Sequence, residues 1–191
     1  MSTSVLRRDV LPFAFALCAL AAATLALDLL LHRLGAVGVG RWLGIPGTLL
    51  ILGSFGYSLR KRKLIRRGQP ATLLRWHEGL AWLGSLLILV HAGVHFNAIL
   101  PWLATVAMAI NIVSGLTGKF LLDRARRRLD AARATLQARG VAPASGDLAY
   151  LDALSFDAVR QWRVVHFPIT LAFAVLALAH IVSSLLFWGW R

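Results

Sequence analysis

Five long apolar stretches leave this chain few ways to fold. They run at about Val10–Leu31, Trp42–Leu59, Leu73–Ala98, Trp102–Leu122 and Val164–Trp188. Each approaches or exceeds the ~20 residues a helix needs to cross a hydrocarbon core ~30 Å thick. No segment alternates with period two, so strands do not compete. Lipid requires a spanning backbone to satisfy its own hydrogen bonds. The predicted fold is therefore all-α: an integral membrane bundle of five transmembrane helices forming one domain over residues 1–191. The second stretch is the shortest and richest in glycine, and is expected to be the least regular helix.

Charge orients the bundle. The formal net charge is +13, which in a soluble chain would point to nucleic acid. Its distribution argues for a membrane instead, and no nucleic-acid partner is expected. Arg60, Lys61, Arg62, Lys63, Arg66, Arg67 and Arg75 follow the second stretch with no acid among them. From Lys119 to Arg163 there are nine cations and five acids. The links around Phe96–Pro101 and His32–Arg41 carry little or no charge. Cations collect on the side that is not translocated. This predicts a cytoplasmic amino terminus, cytoplasmic basic links and an outer carboxy terminus, with the basic runs resting on anionic lipid headgroups. Trp76 and Trp162 read as belt residues at the inner boundary, and Trp42, Trp102, Trp188 and Trp190 at the outer one. The first stretch follows Arg7 and Arg8 but exceeds a usual signal core, so it reads as a retained anchor.

The longest piece outside the membrane is the region at about 123–163. Asp123 to Arg139 has the pattern of a basic amphipathic helix continuing from the fourth stretch and stopping at Gly140. Val141–Gly146 reads as a turn. Ser155 is a candidate cap for a separate short helix leading into the fifth stretch, which would put Pro168 near a helix start, where its missing N–H costs little.

Within these spans, His77 and His91 lie fourteen residues apart, and so do His166 and His180. Fourteen helical residues turn roughly 1400°, about 40° short of four full turns, and rise ~21 Å. Each pair thus shares one helical face, with one imidazole toward each side of the bilayer. The third and fifth spans run parallel in the predicted topology, so the two pairs are level. Imidazole is a usual axial ligand of haem iron, and an ionisable side chain inside a membrane points to function. The pattern suits two stacked bis-histidine haems between helices three and five: His77 and His166 for the cytoplasmic-side haem, His91 and His180 for the outer one. The competing reading for any one histidine is a hydrogen bond to a neighbouring helix. Cys18 stands alone, and no Cys-x-x-Cys-His is present for covalent attachment.

Further candidates accompany these four. His95, one turn past His91, is an alternative outer ligand, a propionate contact or a quinone partner. His91 is preferred because the matching position after His180 is Ser184, which is not a usual ligand. Gly84 and Phe173 each lie seven residues past an inner histidine, which suits a ring opposite a missing side chain between haem planes or, equally, ordinary helix packing around a glycine. Arg75 and Arg163 are candidates for inner propionates and Arg41 for outer ones, against a reading as boundary cations. Glu78, the only glutamate, and Asp28 are candidate proton acceptors for a quinol or else interfacial carboxylates. His32 reads as a headgroup-level residue, and Asn111, Ser114 and Ser184 as helix–helix contacts.

On the segments RWHEGLAWLGSLLILVHAGVHF and QWRVVHFPITLAFAVLALAH, the chain resembles transmembrane di-haem cytochromes b. These are the ferric-reductase-like and cytochrome b561-like groups and the small bacterial cytochrome b subunits related to them. The likeness covers about Leu73 to Trp188. It implies two haems b and transmembrane electron transfer in a bacterial inner membrane. A quinol or a partner protein would reduce one haem and the electron would leave from the other, with a partner redox subunit expected: an extracytoplasmic cytochrome c, an iron–sulfur subunit or another catalytic subunit. Ferric reductases usually carry a sixth helix and a flavin and nicotinamide domain. No Gly-rich dinucleotide motif occurs here, so the chain is expected to be an electron-transfer subunit rather than a complete enzyme. The alternative is a non-redox membrane subunit that relays metal ions or protons, or a scaffold.

Overall fold

A backbone surrounded by lipid finds no outside partner for its N–H and C=O groups, and the described residues of the apolar stretches are helical, the second stretch with two breaks. The computed structural model describes residues 10–64, 68–93, 98–140 and 146–187, and among them there is no strand. The helices are α1 (Leu11–Arg33), α2 (Val37–Trp42), α3 (Gly44–Ser54), α4 (Gly56–Lys61), α5 (Pro70–Gly93) and α6 (Ile99–Leu116). A π-helical turn (Thr117–Leu122) then leads to α7 (Asp123–Ala138) and α8 (Gly146–Phe187). Five stretches are long and apolar enough to cross a membrane: Leu11–Arg33, Val37–Lys61, Pro70–Gly93, Ile99–Phe120 and Val159–Phe187. The protein is an all-α integral membrane protein.

The second span is irregular, as its glycines foretell. It consists of α2, α3 and α4, interrupted at Leu43 and Phe55. Glycine lowers helix propensity by roughly 1 kcal/mol relative to alanine. In exchange it lets the second span press on the third: a Cβ on Gly47 would stand 3.1 Å from the Gly84 carbonyl oxygen, and one on Gly84 would stand 2.9 Å from that of Gly47. The first span ends on Gly35, whose φ of +64° suits glycine. There the Ala36 N–H donates to the Leu31 carbonyl at 2.8 Å and closes the helix end.

Packing pairs the spans. The second lies along the third and the fourth along the fifth, each more extensively than any other two, while the first packs chiefly on the third. Leu20, Leu86 and Val90 form the buried core of the first–third contact, with Leu27, Leu43 and Ile112 against them. Met108 and Phe173 are buried elsewhere in the bundle. Outward-facing side chains such as Leu25, Leu178 and Leu186 are mostly exposed, as a lipid-facing surface requires.

Two expectations need correcting in the last helix. No separate short helix precedes the fifth span: α8 is one helix of 42 residues. It packs on α7 and runs through Ser155 without a break. Pro168 therefore sits in a helix interior, where it removes one ladder bond. The expected stop of α7 holds, since Gly140 takes φ +81°.

The Gly47–Gly84 approach yields a test. Gly84→Val forces a side chain against the backbone of the second span and is expected to cost about 1–3 kcal/mol, the usual range for overpacking. Gly79→Ala meets nothing within 4 Å and should leave stability unchanged or slightly raised. Thermal unfolding in detergent compares the two.

Candidate functional site

Imidazoles cannot stay unpartnered in lipid, and their partners here come from neighbouring spans. At the end of the bundle that carries the Arg60–Lys63 run (the basic end), His77 Nδ1 donates to the Ser54 carbonyl at 2.9 Å. At the opposite, far end, His91 Nδ1 donates to the Gly40 carbonyl at 3.2 Å. A carbonyl oxygen only accepts, so Nδ1 carries the proton in both rings and the lone pair lies on Nε2. Ser54 and Gly40 are themselves fourteen residues apart, which matches the histidine spacing. Both carbonyls lie next to breaks in the second span, where helix ends leave C=O groups in need of donors. Ser54 is the last residue of α3, and Gly40 lies three residues before the Leu43 break, whose N–H reaches it at 3.3 Å.

The fifth span is held from the other side. His166 Nδ1 lies 3.0 Å from Ser114 Oγ on the fourth span. The Trp162 indole stacks on the His166 ring, with centroids 4.7 Å apart and planes 15° from parallel, and its Nε1–H donates to the Ser114 carbonyl at 2.9 Å. One helical turn further, Thr170 Oγ1 donates to Asn111 Oδ1 at 2.8 Å.

Among the described residues, the third and fifth spans do not form a close backbone pair; their imidazoles meet instead. The His91 and His180 rings face each other with centroids 6.3 Å apart, inclined at 50°. His77 and His166 are near enough for their charges to interact. The far-end pair thus comes together from the third and fifth spans, while His77 and His166 are both anchored toward the basic end. Tyr57 adds a ring 5.9 Å from that of His77. Gly44 abuts His91 so closely that a Cβ there would stand 2.9 Å from Nε2.

Other singled-out residues fall as follows. Gly84 turns its bare face to Gly47 and Ile51 of the second span, so the packing alternative describes its place. Arg41, Arg75 and Arg163 are exposed at span ends. Arg62, which the sequence did not single out, lies over the Phe167 ring at 5.3 Å, beside His166. Glu78 pairs with Lys119 at 2.7 Å, tying the third span to the π-helical turn. Among the described residues Asp28 Oδ1 is buried without a hydrogen-bond partner and lies against Gly93, with His32 Nδ1 3.6 Å away, while His32 bonds to the Asp28 carbonyl at 2.8 Å. Ser184 is half-buried and lines a cavity of about 300 Å³ with His180, Ser183, Pro101 and Phe187. His95 lies outside the described residues, as do Trp188 and Trp190.

Two readings change. Ser114 is not only a helix contact but the partner of His166, and Trp162 is not a belt residue, since its ring turns inward onto an imidazole. The sequence signal for Trp162 was its position four residues before His166, on the same helical face. Gly40 and Ser54 act through backbone oxygens, which every residue has, so residue type gave no signal for them.

Compared with known protein families, curated proteins and solved structures, the chain gives no significant match in any of the three.

Ser114→Ala leaves the His166 Nδ1 without its hydroxyl partner. It is expected to lower stability by about 1–2 kcal/mol, the usual cost of an unmade buried hydrogen bond. Asn111→Ala is a comparison at the next turn, and denaturant titration in detergent reads both.

Proposed function

We propose that this protein carries electrons across a membrane through two b-type haems, one clamped by His77 and His166 and the other by His91 and His180. The carrying observation is the His91–His180 geometry: two imidazoles from different spans, centroids 6.3 Å apart. A metal–imidazole bond is ~2 Å long, so rings at this separation could both reach one metal held between them. The donor chemistry fits as well. Histidines that bind metal typically donate their other N–H to a carbonyl or carboxylate, which fixes the ring and makes the ligand more basic. His77 and His91 do this to Ser54 and Gly40, and His166 bonds to Ser114.

Haem held by two imidazoles supplies one-electron exchange without an open coordination position. The chain's own residues supply the rest. The second span anchors the two imidazoles of the third, the fourth anchors that of His166, and the bilayer keeps water from the clamps. A rise of ~21 Å between ligands of one helix spaces the two positions across the bundle. The reading extends to a membrane subunit of a quinone-linked oxidoreductase in a bacterial inner membrane, with the amino terminus cytoplasmic and the carboxy terminus periplasmic. Its partner would be an extracytoplasmic cytochrome c, an iron–sulfur subunit or another catalytic subunit. A relay of bare metal ions has less support. Among the described residues no three His, Cys, Asp or Glu side chains converge, whereas a protein zinc site uses three or four.

The purified protein should show b-type bands in reduced-minus-oxidised spectra, with two haems per chain. His91→Ala and His180→Ala should each remove about half of that haem, and so should His77→Ala and His166→Ala. A colourless wild-type protein after expression with ample haem would refute the proposal. Gly44→Val, which crowds His91, should lose haem from the far end alone. Gly53→Ala, whose Cβ would find its nearest neighbour at 3.6 Å, should retain both.

A further inference from the structure

The electron path above makes no use of Trp162, yet several separate features of the fold converge on it. Its indole lies nearly parallel to the His166 ring, and its Nε1–H is bonded to the carbonyl of the residue whose hydroxyl holds His166. Room for the ring is provided by Gly118, where a Cβ would stand 2.7 Å from Trp162 Cζ2 and 2.9 Å from Cε2. Those are contacts with the rigid body of a bicyclic ring, which cannot bend aside. Gly118 lies in the π-helical turn Thr117–Leu122, a rare local winding that recurs at functional sites. The same turn carries Lys119, which fixes it to Glu78, the residue after His77. The winding of the fourth span, the missing side chain at Gly118 and the Glu78–Lys119 pair together seat one indole over one imidazole.

We infer that Trp162 is a positioning residue that sets the plane of His166 and shields it from water, so that the basic-end clamp is tuned separately from the far-end one. The inference rests on the reading of His77 and His166 as a haem clamp. The residues around His91 work differently: it is held by a backbone carbonyl and crowded by Gly44, and the ring facing it is His180. Covering an imidazole with an apolar ring lowers the local dielectric and limits solvent access, which disfavours the more highly charged oxidised iron. Removing the cover should therefore lower the midpoint potential at that end. The ring plane should also become less well defined, which low-spin ferric spectra report.

The test uses the haem-loaded protein, with potentiometric titration and low-temperature electron paramagnetic resonance of wild type, Trp162→Ala, Trp162→Phe and Gly118→Ala. Trp162→Ala is expected to lower one of the two midpoints and shift one of the two low-spin signals, leaving the other centre as in wild type. Gly118→Ala, which keeps the indole but pushes it off the imidazole, should move the same centre in the same direction. Trp162→Phe keeps an aromatic plane without the Nε1 bond and should give a smaller shift. Loss of haem from that centre alone in Trp162→Ala also supports the inference, because positioning has then failed outright. Unshifted midpoints and signals in both Trp162→Ala and Gly118→Ala at full haem content would overturn it, and so would equal shifts at both centres. A wild-type protein that holds no haem has no midpoints to compare, and that outcome sinks the underlying reading instead.

Discussion

The hydrogen bonds at Nδ1 are the constraint on which the rest of this bundle depends. A neutral imidazole has one donor and one acceptor, and in a bilayer interior neither can be left to water. Ser54, Gly40 and Ser114 each take one Nδ1. None of these partners lies on the histidine's own helix. The second span must therefore stay against the third, and the fourth against the fifth. These are the two most extensive helix contacts in the structure. The molecule is accordingly built as two helix pairs, each presenting imidazoles on its inner face, with the first span packed behind the third.

This arrangement explains why the second span is irregular. An unbroken helix engages each carbonyl with the N–H four residues on, leaving little to offer a histidine ring. The interruptions at Leu43 and Phe55 loosen that engagement near Gly40 and at Ser54. Glycine density thus does three things at once. It permits the breaks, it brings Gly47 onto Gly84, and at Gly44 it leaves space for the His91 ring. What looks like weak helix propensity in the sequence is the means by which backbone oxygens become available to side chains.

Much of this was legible beforehand, and the parts that were not share a cause. The five spans, and the common face shared by each histidine pair, follow from apolar length and the 3.6-residue period, which are properties of single segments. The anchors follow from contacts between segments. Gly40 and Ser54 contribute main-chain atoms, Ser114 has the composition of any packing serine, and Trp162 stands where a belt tryptophan would stand. α8 runs unbroken through Ser155 with α7 packed against it, a contact between segments that the local cap signal does not register. Residues that act alone could be read from the sequence; residues that act through a neighbouring span could not.

The two ends of the bundle are alike in spacing and unlike in surroundings, and on the proposed function that contrast matters. Equal ligand spacing makes the positions geometrically equivalent. A difference in potential between them must then come from what lies around the imidazoles. At the far end His91 leans on a carbonyl and a glycine. At the basic end His77 leans on a carbonyl, with Tyr57 close by, while His166 has a hydroxyl partner and an indole cover. A hydroxyl both donates and accepts, so Ser114 does not fix the tautomer of His166 as a carbonyl fixes that of His77 and of His91. With equal spacing at both ends, the contrast in Nδ1 partners and the indole laid on His166 are what would set the two positions apart.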